Sequence, residues 1–207
     1  LSVASMVAGN LLALTQANVK RMLAYSAIAH SGYILVAFLA GGSLAAPAVL
    51  FYLVAYVATN LVAFGVVALL SGPDADAGDL DGYAGLAWRS PWTGVVFTLA
   101  LASLLGIPVT AGFIAKYSVA AAGVTMGQLA LVIILVLNTA VSAAYYIRVI
   151  MTLYLRHDEP QEAAGLLGIT RPPALGSVIV TVLAALVVLF GVLPQYLVDH
   201  IQRLIRL

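Results

Sequence analysis

Residues 46–71 read APAVLFYLVAYVATNLVAFGVVALLS, with no acidic or basic side chain among them. That is longer than the roughly 20 apolar residues a helix needs to cross a bilayer. Seven apolar segments of this kind follow one another, over 2–23, 26–41, 46–71, 91–107, 109–123, 127–155 and 174–197. They are continuous, whereas strands of a membrane barrel alternate apolar and polar positions. The expectation is an all-α polytopic membrane protein of about seven transmembrane helices, a single bundle over 1–207. Composition bears on the solvent. Only 8% of the 207 residues are charged, against roughly 25% in a soluble chain, so there is too little polar surface to clothe a soluble body and lipid is the natural solvent.

The breaks between segments are made by ordinary breakers. Gly41-Gly42-Ser43 and Pro47 separate the second segment from the third, and Pro108 interrupts the fourth and fifth. Pro108 reads equally as a turn between two helices or a break within one. Two polar loops stand out, GPDADAGDLDGYAGLAWRSP over 72–91 and RHDEPQEAAGLLGITRPP over 156–173. The carboxylates, Asp74, Asp76, Asp79, Asp81, Asp158, Glu159, Glu162 and Asp199, all fall in loops or the tail and read as solvated. Lys/Arg bias is the usual guide to orientation. Here Arg156 and Arg171 are expected on one side and Arg89, Arg203 and Arg206 on the other, which leaves the topology open. A faint internal echo sets 11–26 against 137–154, with Asn10 opposite Asn138 and Arg21 near Arg148. Paired bundles of this sort are common in transporters.

Several functions are excluded or unsupported. With no cysteine there is no disulfide, thiolate metal site or cysteine nucleophile. No basic patch with interleaved aromatics suggests nucleic acid, and no dinucleotide or phosphate-loop fingerprint is present. No metal or haem ligand cluster is evident, so no cofactor is expected. The first residues, LSVASMVAGNLLALTQ, lack an initiator Met, a basic region and a small-residue cleavage site. They read as the middle of a helix, and the chain is expected to be part of a longer protein.

What remains is charge where lipid should not allow it. Lys116 lies inside GIPVTAGFIAKYSVAAAG with no acidic residue nearby. It stands roughly 12 Å along from Pro108, near mid-membrane, where a cation costs at least ~2.5–3.5 kcal/mol and normally faces a hydrated interior. A buried lysine can exchange a proton and an arginine cannot, so Lys116 reads as a proton-handling group. The competing reading is a lysine that snorkels to an interface, and for Lys20, beside Arg21 at a helix end, the residues alone favour it. Pro108, Gly112 and Gly123 bracket Lys116, and a broken helix carrying a buried lysine is a transporter arrangement. His30, in YSAIAHSGYILVAF, is either a hydrogen-bonded packing residue or a proton carrier between lysines. Asn60 and Asn138 read as interhelical glue, and Arg148 as an interface anchor.

The strings GNLLALTQANVKRMLAYSAIAHSGY, LASLLGIPVTAGFIAKY and AAYYIRVIMTLYL, with GVLPQ at 191–195, resemble the antiporter-like membrane subunits of respiratory complex I, the NADH-quinone oxidoreductase. The resemblance covers the whole chain, as the C-terminal half of such a subunit from its eighth helix to its fourteenth. It implies half of an inverted-repeat bundle with one discontinuous helix. Lys116 matches the lysine of that helix, Lys20 a connecting lysine of the eighth helix, and His30 a histidine near the central hydrophilic axis. The implied function is proton translocation through buried lysines and water, coupled to electron transfer from NADH to quinone in partner subunits, with no redox centre or cofactor in this chain. The implied setting is the bacterial inner membrane, multi-pass, with other membrane subunits of complex I, the lipid bilayer, protons and channel water as partners. The C-terminus is expected in the periplasm, with 72–91 periplasmic and 156–173 cytoplasmic. A subunit of a multisubunit sodium/proton antiporter or membrane-bound hydrogenase is the alternative.

Overall fold

The structure, a computed structural model, describes residues 1–71, 76–155 and 174–205. The helices are α1 (Ser2–Leu14), α2 (Val19–Ala40), α3 (Gly42–Leu70), the short α4 (Leu86–Arg89), α5 (Pro91–Leu105), α6 (Ala111–Thr125), α7 (Leu129–Tyr154), α8 (Ala174–Val192) and α9 (Gln195–Ile205). The seven expected segments reappear as α1, α2, α3, α5, α6, α7 and α8. Four of them, α2, α3, α7 and α8, are individually long and apolar enough to cross a membrane.

One boundary moves. The chain breaks at 15–18 rather than at 24–25, because the Asn18 side chain accepts from the Arg21 amide at 3.0 Å and caps α2. Lys20 and Arg21 therefore open α2 instead of closing the first segment. Apolarity alone misses this, since Val19, Met22 and Leu23 look alike on either side of a cap. α1 and α2 then pack very closely. A Cβ on Gly9 would lie 2.5 Å from the Ala29 amide nitrogen, and one on Gly32 would lie 2.7 Å from Met6 Cγ. Small residues at such contacts let helices approach where lipid supplies no hydrophobic drive.

α5 and α6 have 15 residues each, about 22 Å apiece, short of the ~30 Å hydrocarbon core. They run end to end, antiparallel to α3. Ser103 near the end of α5 meets Thr59 at the middle of α3, 3.1 Å apart. Met126, just past α6, meets Gly42 at the start of α3. The pair is thus one discontinuous helix, and Pro108 lies in its break. Gly106 caps α5 in the left-handed region at φ 92, and Val109 is held at φ 78, a conformation strained for a β-branched residue. Gly191 of α8 lies against the break so closely that a Cβ there would be 2.3 Å from the Val109 carbonyl oxygen.

Since α5 and α6 make one traverse, the end of α7 and the start of α8 come to the same side as residues 76–90, not to the opposite side as expected. The Gly85 amide donates to the Thr152 carbonyl at 3.1 Å, and Trp92 Nε1 donates to Thr181 Oγ1 at 3.1 Å. These contacts put the start of α5, the end of α7 and the first part of α8 at one end of the bundle, called here the loop end. Residues 156–173 lie outside the described residues, but the segments that flank them meet at that end.

Residues 76–90 are docked on the bundle. The Val19 amide donates to the Gly78 carbonyl at 2.7 Å and the Leu80 amide to the Ala17 carbonyl at 2.9 Å. Tyr83 is buried, stacks on Phe97 and donates to the Ala77 carbonyl at 2.7 Å. Burial, with Asp76 adding to it, pushes the Tyr83 phenol up, which keeps it a donor. Asp76, Asp79 and Asp81 are exposed, as is Asp199 on α9, so the described carboxylates are solvated as expected. α9 was not foreseen. It is amphipathic, with Ile201 buried and Leu197 and Val198 packed on the far-end core, while Tyr196, His200 and Arg203 face outward.

Candidate proton-transfer site

Lys116 stands on the second turn of α6 and is buried, at 7% exposure. Its stem runs back over Gly106, where an added Cβ would sit 3.1 Å from Lys116 Cδ. Its Nζ donates to the Leu105 carbonyl at 2.9 Å. Leu105 ends α5, so this carbonyl is one of those a helix terminus leaves without an internal partner, at the negative end of the helix dipole. On the other side, Nζ lies 5.1 Å from the centroid of the Tyr33 ring, within cation–π range. Among the described residues no carboxylate pairs with it.

The break itself is stapled. Ser103 Oγ pairs with Thr59 Oγ1 and accepts from the Gly112 amide at 3.2 Å. Gly112 approaches α5 so closely that a Cβ would lie 1.8 Å from the Ser103 carbonyl oxygen. No side chain fits there.

His30 is buried on α2, one turn from Tyr33, and its ring meets that of Tyr33 edge-on at 5.5 Å. Its Nδ1 bonds the Tyr52 hydroxyl at 2.8 Å, and its Nε2 the Tyr146 hydroxyl at 3.4 Å. Tyr146 in turn bonds Ser26 Oγ. A cavity of about 10 Å³, lined by His30, Tyr52, Tyr56, Thr59, Ser103 and Gly112 among others, lies beside it, room for about one water. His30 and Lys116 thus meet the same Tyr33 ring from α2 and α6.

Tyr33 is fixed from behind. Asn10 Nδ2 donates to the Tyr33 hydroxyl at 2.9 Å and to Asn138 Oδ1 at 3.1 Å, and the Tyr145 hydroxyl donates to Asn10 Oδ1 at 2.9 Å. Asn138 is interhelical glue as expected, and the two asparagines aligned by the sequence echo touch. Asn60 is different, since Nδ2 bonds the Tyr56 hydroxyl on its own helix. Arg148 donates to the Gln16 carbonyl just beyond α1, a cation at a helix C-terminus rather than a lipid-interface anchor.

Lys20 lies elsewhere. It is at the loop end, its side chain 37% exposed and paired with the Asp76 carboxylate. The sequence sets Lys20 and His30 in two successive segments, 2–23 and 26–41, but both sit on α2, ten residues apart, about 15 Å along the axis. Ser26 and the Tyr146 hydroxyl stand between the two levels. Sequence reading missed Tyr33, Asn10, Tyr52, Tyr146, Ser26 and Ser103. One signal was present: Ser26, His30 and Tyr33 recur at i, i+4 and i+7 on one face of α2.

Residues 1–142 match the family described as NADH:quinone oxidoreductase/Mrp antiporter, TM. NADH-quinone oxidoreductase subunit N of Methylococcus capsulatus is 45% identical over 204 residues, 96% of this chain and 40% of that protein. The chain therefore spans less than half the length of this relative. A chain of respiratory complex I from Thermus thermophilus with bound aureothin superposes with a TM-score of 0.83 at 34% identity, over 96% of this chain and 44% of that one. A chain of the Mrp complex from Dietzia sp. superposes with a TM-score of 0.81 over 96% of this chain and 44% of that one, and at 21% identity shows likeness of fold alone. By the match over residues 1–142, with the discontinuous helix and its buried lysine in place, the chain belongs to the NADH:quinone oxidoreductase/Mrp antiporter transmembrane family.

Proposed function

We propose that this chain forms part of a proton-translocating membrane subunit of a bacterial NADH-quinone oxidoreductase, in the inner membrane, and that it moves protons while partner subunits carry electrons from NADH to quinone. One observation supports this above the rest: Lys116 is buried at a helix break and held by neutral acceptors, and Ser103 and Gly112 of the same break line a water-sized cavity with His30. Lys20 takes up a proton at the loop end. Ser26, Tyr146 and His30 pass it inward, each accepting one proton and releasing another, with water bridging the stretch from Lys20 and the one from His30 to Lys116. Lys116 holds it as an ammonium and releases it as a neutral amine. Orientation follows from charge once the end of α7 and the start of α8 share the side of residues 76–90. Lys20, Arg21 and Arg89 lie at the loop end, and Arg156 and Arg171 belong to the connection that flanks it. The positive-inside rule then sets the loop end in the cytoplasm.

The test replaces Lys116 in the assembled complex and measures proton translocation by membrane vesicles, normalised to complex content. Lys116→Met keeps the apolar stem and removes the exchangeable proton. Lys116→Arg keeps the charge but cannot release it. Both are expected to abolish most pumping while the complex still assembles. Full pumping by the methionine variant removes Lys116 from the mechanism. Pumping by arginine but not methionine assigns it a purely electrostatic role. Sodium/proton exchange without redox input would instead favour the antiporter reading.

A further inference from the structure

We propose that Tyr33 is the positioning residue for the Lys116 charge, its aromatic face and the Leu105 carbonyl together taking the place of an acidic partner. This rests on the reading of Lys116 as the translocating lysine. Around Lys116, α2 presents His30 and Tyr33, α3 Tyr52 and Tyr56, and α7 Tyr145 and Tyr146, while α5 and α8 carry no titratable group; Lys20 and Arg21 of α2 and Arg148 and Tyr154 of α7 lie toward the loop end. Each group so presented is a phenol or an imidazole, and the described carboxylates are exposed. Yet an ammonium at this depth needs a compensating interaction. The Leu105 carbonyl supplies one hydrogen bond. The Tyr33 ring, 5.1 Å away, supplies the negative face of its quadrupole.

Tyr33 is built to hold that face still. It is 1% exposed, and its hydroxyl is bonded by Asn10, which is itself bonded by Tyr145 and bonded to Asn138. The ring orientation is thereby fixed from α1 and α7, two helices that do not carry the lysine. A carboxylate would bind the ammonium strongly and resist release of the proton. A π face acts on the charged form alone and is weaker, so it steadies the ammonium without trapping it. The Asn10 cluster then sets how firmly the proton is held.

The experiment uses the intact complex in membrane vesicles and records protons translocated per NADH oxidised as a function of pH. Tyr33→Phe keeps the ring and loses the Asn10 bond. Installing 3,4,5-trifluorophenylalanine at position 33 nearly preserves size but drains the π face, so both variants are expected to fold. Relative to Tyr33→Phe, the fluorinated variant is expected to lose pumping at lower pH, its alkaline limb displaced by about half to one pH unit. Superimposable profiles for the two variants would overturn the proposal, because a packing role is indifferent to fluorine. Lys116→Met measured alongside separates the two levels. If it pumps fully, the reading of Lys116 fails. If it does not pump and fluorination has no effect, only the role of Tyr33 fails.

Discussion

Lys20 and Lys116 are the only lysines in the chain, and they stand in opposite surroundings. Lys20 opens α2 at the loop end, half in water, against the Asp76 carboxylate of a docked loop. Lys116 is buried on α6 against a carbonyl and a ring. An exposed ion pair contributes about 0–1 kcal/mol, because solvent screens it and both side chains give up rotamer freedom. A buried charge is far more dependent on its few partners, because water cannot replace them. The same side chain is therefore tolerant at the rim and exacting in the interior. What lies around a lysine, more than its type, decides whether it can store a proton.

The largest expected effect contrasts the two directly. Lys116→Met should lower vesicle proton pumping by at least about tenfold, equivalent to ~1.4 kcal/mol or more on the barrier. Lys20→Met should lower it by only about two- to threefold, since water at the rim can stand in for an uptake group. Equal losses would erase the distinction.

A second effect addresses the break that holds Lys116 in place. Gly112→Ala would drive a methyl into the Ser103 carbonyl, and overpacking of this kind costs about 1–3 kcal/mol or more. Thermal melting of the purified complex and pumping should both decline. Ser103→Ala, which removes the bonds to the Gly112 amide and to Thr59 but leaves the close approach intact, should cost about 1–2 kcal/mol. If the alanine at 112 is tolerated as well as the one at 103, the close approach is not what positions the lysine.

His30→Phe should sharpen the comparison from within. It keeps an aromatic ring against Tyr56 and Tyr33 but cannot bond Tyr52 and Tyr146. Pumping should fall by about three- to tenfold if the imidazole relays protons, an effect of ~0.7–1.4 kcal/mol. Unchanged pumping would make His30 a packing residue.

The smallest effect is at the rim. Asp76→Asn removes the ion pair with Lys20, and stability should change by less than about 1 kcal/mol. Because Val19 and Leu80 still hold the loop through backbone bonds, proteolysis of 76–90 in sealed vesicles should change little. Rapid cleavage in the variant would mean the pair latches the loop.

How much was legible beforehand varies residue by residue. Lys116 was found because a charge inside an apolar run is expensive wherever it sits, while Pro108 and the glycines around it allowed a break without telling it from a turn. His30 stayed undecided because a histidine in an apolar segment has no sequence mark for what its two nitrogens meet. Lys20 was set on the wrong helix because a cap made by Asn18 inside a mostly apolar stretch leaves hydropathy unchanged. α9 was missed because it is short and has one apolar face rather than an apolar length.

The sequence by itself determined the solvent of this protein, its helical class, its seven apolar segments and the lysine that lipid cannot accept. Each of these follows from local chemistry, since hydrogen-bond satisfaction in hydrocarbon forces helices whatever their neighbours. Tertiary structure decided the rest. It joined α5 and α6 into one interrupted traverse, brought the end of α7 and the start of α8 to the end where 76–90 dock, gave Lys20 its carboxylate and, among the described residues, withheld one from Lys116. It brought Tyr33, Asn10 and Tyr145 together from α2, α1 and α7. These outcomes depend on which helix faces which. Apolar helices of near-uniform hydrophobicity carry no such instruction in their periodicity. It lies in single contacts, such as Gly9 on Ala29, Gly112 on Ser103 and Asn10 on Asn138, that have meaning only once the partner is in place.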